Sequence, residues 1–109
     1  MSRKYLVLGN YTADGLAGAM KVGFESRFDA IVKAVTDLGG TLIEYSFCQG
    51  TYDFVILTEW EDESKAMLMP MVAMASGTVQ SHSIRLISAQ EMDQTRSHLP
   101  ELHWSAPEK

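Results

Sequence analysis

The stretch Thr41-Leu42-Ile43-Glu44-Tyr45-Ser46-Phe47-Cys48-Gln49-Gly50-Thr51-Tyr52-Asp53-Phe54-Val55-Ile56-Leu57-Thr58-Glu59-Trp60 reads as a β-hairpin. Residues 41–48 alternate, with Ile43, Tyr45 and Phe47 on one side and Glu44, Ser46 and Cys48 on the other, the period of a pleated strand. Gln49-Gly50-Thr51 supplies a tight connection, and residues 52–60 form the second arm, rich in β-branched and aromatic side chains. Phe54-Val55-Ile56-Leu57 breaks the alternation with four apolar residues in a row, which marks a strand buried on both faces.

Working outward, residues 4–10 form another strand, whose Tyr5-Leu6-Val7-Leu8 core is again apolar on both sides before Gly9 and Asn10 stop it. Thr12 caps a short helical segment through Met20. From Phe24, the apolar residues Phe28, Ile31, Val35 and Leu38 line one face of an α-helix that Gly39-Gly40 ends. On the far side of the hairpin, Glu61-Asp62-Glu63 places negative charge at the start of a helix running to about Ser76, with Gly77 as its stop and Pro70 predicting a kink or early break. Residues 79–87 make a fourth strand. Ser88 with Glu91 forms a capping box for a last helix through about His98.

The order β-α-β-β-α-β plus a short final helix predicts an α+β, ferredoxin-like domain over residues 1–99, with residues 100–109 as an extended tail. In that fold both helices cover one face of a four-stranded antiparallel sheet. Strands that are apolar on both sides then require a second cover, most simply another copy of the chain, in a homodimer or higher homo-oligomer.

With 109 residues there is room for one core. A formal net charge of -5 with scattered basic residues argues against nucleic acid as a partner. The apolar run at the N-terminus is too short for a signal peptide, and the longest uncharged run, residues 66–75, is about half of a membrane crossing. A cytoplasmic protein without a membrane segment is expected. Cys48 is the single cysteine, which removes intrachain disulfide, CxxC and Cys-based zinc readings and leaves a small buried hydrophobe as its simplest role.

The chain resembles the GYD-domain family, small bacterial and archaeal proteins of largely unassigned function. The name-giving pattern stands here as Gly50-Thr51-Tyr52-Asp53-Phe54-Val55. Tyr5-Leu6-Val7-Leu8-Gly9 and Thr12-Ala13-Asp14-Gly15-Leu16 look like the family's opening, and Ala34-Val35 with Gly39-Gly40-Thr41-Leu42 like the end of its first helix. The resemblance covers roughly residues 5–91 and implies a ferredoxin-like, dimeric α/β-barrel type of fold. The fourth strand departs from the family pattern, with Gln80 and His82 where a basic and an acidic residue are usual, so no role is carried over from those charges.

The candidate ligand-binding residues are Asn10, Tyr52, Asp53 and His82. Tyr52 and Asp53 serve either as turn and strand-entry residues or as hydrogen-bonding groups at a pocket mouth. If the polar sides of the strands face one enclosed space, Asn10, Glu44, Ser46, Asp53, Glu59, Gln80 and His82 line it beside Leu8, Val55 and Leu57, an apolar cavity with a few polar groups. His82 is the one catalytic candidate, as a general base, against a plain strand histidine. Met67, Met71 and Met74 share a helical stripe, read as adaptable packing rather than a Cu(I) site. His98 and His103 lack zinc spacing, and Gly9, Gly15 and Gly18 match no phosphate loop, so no metal and no cofactor are expected. The readings that remain are a small-molecule-binding protein, a cofactor-free enzyme such as a monooxygenase or isomerase, and an assembly protein.

Overall fold

The computed structural model describes residues 2–108. Strand β1 (Arg3–Tyr11) leads into helices α1 (Ala13–Val22) and α2 (Phe24–Asp37), then β2 (Thr41–Phe47), β3 (Phe54–Trp60), α3 (Leu68–Ala75), β4 (Val79–Arg85) and α4 (Ala89–Arg96). The four strands form one open antiparallel sheet in the order β2-β3-β1-β4. The chain is therefore α+β, with four α-helices among the described residues.

Several local signals act as the sequence predicts. The Thr12 hydroxyl accepts from the Gly15 amide and caps α1, and Ser88 and Glu91 exchange the two bonds of a capping box at α4. The apolar stripe of α2 is laid against β2, where Val35 becomes the most completely buried side chain.

Four expectations are corrected. A β-bulge between Leu42 and Glu44 leaves Ile43 without a cross-strand partner and 44% exposed, so Leu42 replaces it beside Tyr45 in the core. The hairpin connection is longer than a tight turn: β3 begins at Phe54 rather than Tyr52, because the Asp53 amide turns aside to bond the Gly9 carbonyl at 2.8 Å. Cys48 falls in that connection and is exposed, not buried. The long helix after Glu61 splits into a 3-10 turn (Glu63–Lys65) and α3, which starts so late that Pro70 occupies its first turn, where a missing N–H breaks no helical bond.

That split also changes the methionines. Met71 is 58% exposed, and it is Met69, outside the predicted stripe, that packs onto the core. At the C-terminal side, β4 ends at Arg85 although the Leu86 amide still bonds Lys4, and α4 ends at Arg96 before a 3-10 turn (Leu99–Glu101) that takes in Pro100.

One face of the sheet carries two core clusters, Val7, Tyr45, Phe54 and Ile56 in the first and Val35, Trp60 and Ala66 in the second. The opposite face presents Leu6, Leu8, Val55 and Leu57 at the centre of the sheet, all only half-buried, beside Ile84 at 45% exposure. The intervening positions Val7 and Ile56, on the core face, are buried. Among the described residues no helix is long and apolar enough to cross a membrane.

Candidate ligand cavity

A cavity of about 90 Å³ lies between the helices and the core face of the sheet. Val7, Phe54 and Ile56 form its floor, Ile31 and Val35 of α2 one side, and Met69 and Ala73 of α3 the other. It exists because the helical cover is divided: α2 lies over β2 and α3 over β4, with no extended packing between the two helices. The space left above β3 and β1 is therefore not filled.

Tyr11, Tyr45 and Phe54 of the lining belong to a wider chain of rings that extends outside the cavity. Phe28 stacks on Tyr45 at 5.5 Å between ring centroids, Tyr45 meets Phe47 at 5.1 Å, Phe47 meets Phe24 edge-on at 5.1 Å, and Tyr11 leans on Phe54 at 5.3 Å. Such offset and edge-on pairs add stabilisation beyond area burial and hold the rings in fixed orientations.

Arg27 and five hydroxyl-bearing side chains, Tyr11, Tyr45, Thr58, Thr78 and Ser81, join the apolar lining. Burial, and then the Tyr11 hydroxyl beside it, push the Tyr45 phenol far above its ordinary range, against a smaller lowering by the Arg27 cation. Tyr45 is therefore a neutral donor at any physiological pH. The Ser81 Oγ is buried with no hydrogen-bond partner. Thr58 Oγ1, also at the cavity, is occupied: it accepts from Trp60 Nε1 at 2.8 Å. An unpaired buried hydroxyl is an unmet cost that a bound polar group would relieve.

None of Asn10, Tyr52, Asp53 and His82 lines this cavity. The fold gathers them at one end of the sheet, where β1 finishes and β3 and β4 begin. Gly50, at φ 142°, takes a backbone conformation that L side chains rarely adopt and so reverses the chain after β2. Asp53 then ties the reversed segment to β1, its Oδ2 accepting from the Tyr11 amide at 2.8 Å while its own amide donates to Asn10 Oδ1 at 3.1 Å. Tyr52 meets His82 edge-on at 6.4 Å. His82 is exposed, opposite Leu8, on the face away from the helices.

Asp53→Ala should therefore lower stability by about 2 kcal/mol, the worth of a hydrogen bond to a charged group in a part-buried setting. Asp53→Asn, which keeps an acceptor, should cost less than half of that. Urea denaturation of the two variants reads the difference, and equal losses would mean that the Tyr11 amide is not what Asp53 serves.

At the other end of the sheet, Arg3 and Arg85 meet Glu63 and Glu91, with Arg85 Nε 2.8 Å from Glu63 and its Nη2 3.0 Å from Glu91. Tyr5 donates to Glu63 at 2.7 Å. These bonds hold both carboxyls below the ordinary range, Glu63 through Tyr5 and then Arg85, Glu91 through Arg85 and then the Ser88 amide. They fasten α4 to the sheet.

No curated protein and no solved structure matches the chain significantly. The family profile of the GYD domain matches residues 5–95, which takes in nearly all of the sheet, the helices and the hairpin connection with Gly50, Tyr52 and Asp53. The chain belongs to the GYD-domain family.

Proposed function

We propose that this GYD-domain protein binds a small apolar or aromatic molecule in the cavity between α2, α3 and the sheet, as a homodimer whose subunits meet through the open sheet face. The observation that carries the reading is the convergence of a few polar groups, Tyr11, Tyr45 and the unpartnered Ser81, in an otherwise apolar space, which is how small-molecule sites are built. At about 90 Å³ the cavity is smaller than the roughly 150 Å³ that takes benzene when fully enclosed, so a single ring would reach out through the gap between α2 and α3.

The strand order β2-β3-β1-β4 supports the ferredoxin-like arrangement, and the half-buried Leu6, Leu8, Val55 and Leu57 with the exposed Ile84 support the dimeric α/β-barrel form of it. Benzyl alcohol is a suitable probe. Its titration should move the backbone amide resonances of Tyr11, Tyr45 and Ser81, and Ala73→Phe, which fills the cavity from α3, should weaken the interaction at least about tenfold. Unmoved amides at those three positions would contradict the reading.

A second reading, a cofactor-free monooxygenase or isomerase, draws on the Tyr52–His82 contact. With a partner sheet over the open face, Asn10, Tyr52, Asp53 and His82 border an enclosed space in which His82 is the natural base. Turnover of a quinone-like compound that disappears in His82→Gln would favour it over binding alone. A protein that dimerises but moves no cavity resonance with any probe would be an assembly protein.

A further inference from the structure

We infer that the ligand of this cavity carries an anionic oxygen group, a carboxylate or a phenolate, on its small apolar body. The inference rests on the binding reading above and names the chemical class that Arg27 selects.

The chain has four arginines, and three of them are neutralised within the fold. Arg3 lies 3.5 Å from Glu91, Arg85 lies 2.8 Å from Glu63, and Arg96 lies 3.2 Å from Asp93. Arg27 has no ion pair and no hydrogen bond among the described residues, yet it is half-buried and lines the cavity. Its own helix offers it nothing. The acidic neighbours Glu25 and Asp29 stand two residues away on either side, a spacing that points side chains to different faces, while the positions three and four residues away are Gly23, Phe24, Ala30 and Ile31.

A guanidinium cannot shed its charge, and its planar fork of donors suits two oxygens at once. Its charge is felt by the Tyr45 phenol, which the Tyr11 hydroxyl neighbours, and the unpartnered Ser81 Oγ lines the same cavity from β4. A cation with hydroxyls and no carboxylate in the lining of an apolar cavity is a donor set for an oxyanion. A neutral hydrocarbon would use the aromatic rings of the lining and leave Arg27 and Ser81 unsatisfied.

The test compares benzoate with benzyl alcohol, a neutral ligand of similar size, by amide resonance titration at pH 7. Wild-type protein should prefer benzoate by roughly ten- to a hundredfold, the value of charge-assisted hydrogen bonds. Arg27→Gln should abolish the preference, weakening benzoate at least about tenfold more than benzyl alcohol. Equal affinity for the two compounds in the wild-type cavity overturns the anionic class and leaves the binding reading standing. A preference that survives in Arg27→Gln overturns the role of Arg27, and failure of both compounds to move the cavity resonances overturns this inference together with the reading beneath it. The wild-type comparison decides the ligand class even if the variant does not fold.

Discussion

Replacing Trp60 by alanine should remove about 3–5 kcal/mol of stability, the cost of deleting a large buried aromatic side chain. Trp60 is 2% exposed and joins Val35 and Ala66 in the cluster that fixes α2 and the segment before α3 to the end of β3. Its indole also donates to Thr58 Oγ1, itself a buried hydroxyl, at 2.8 Å. Small domains are stable by only about 5–15 kcal/mol, so the variant should be largely unfolded near physiological temperature. Trp60→Phe keeps most of the apolar contact and forfeits the hydrogen bond, and should cost about 1–3 kcal/mol. Urea unfolding measures both. A loss below about 1 kcal/mol for the alanine variant would mean that this cluster does not hold the helical layer to the sheet.

Gly15→Ala should have a comparable effect for a different reason. A Cβ at Gly15 would stand 1.8 Å from the Thr78 carbonyl oxygen, and that oxygen is held in place by the Thr12 amide at 3.0 Å. Neither side can yield without parting α1 from the start of β4, so the overpacked variant should lose about 3 kcal/mol. Gly18, in the same helix, has open space where its Cβ would be, and Gly18→Ala should instead stabilise by about 0.5–1 kcal/mol through helix propensity. The opposite signs of the pair, read as shifts in thermal midpoint, isolate close approach from propensity. A stabilising Gly15→Ala would show that α1 does not rest on Thr78.

What the sequence made legible divides along physical lines. Signals carried by neighbours in the chain were readable to the residue: the Thr12 cap, the Ser88–Glu91 capping box, and the α2 stripe from Phe24 through Val35. Signals that depend on pairing with a distant strand were not. Nothing in Thr41-Leu42-Ile43-Glu44 announces a bulge, because the extra residue is defined only by what stands opposite it on β3. Pro70 promised a break, yet whether it would kink a helix or begin one depended on Met69 and Ala66 finding the core.

The cavity was the least legible part. Its polar groups come from α2 and all four strands, and only the strand order and register bring Tyr11, Arg27, Tyr45, Thr58 and Ser81 to one space. A partial signal existed in the alternation Val79, Ser81, Ser83, Arg85 of β4, which places small hydroxyls rather than bulky side chains on the helix side. Asn10, Tyr52, Asp53 and His82 were visible as a group because a turn and a strand end concentrate polar residues, and the fold does assemble them, at the sheet end and away from the cavity.

A crystal structure of the untagged protein tests the whole account in one measurement. It should contain two chains joined through Leu6, Leu8, Val55, Leu57 and Ile84, with ligand density seated between Tyr11, Tyr45 and Arg27 of each chain. Helices α2 and α3 closed on one another with no space beneath them, or the sheet face left to solvent while the cavity residues pack against themselves, would contradict it.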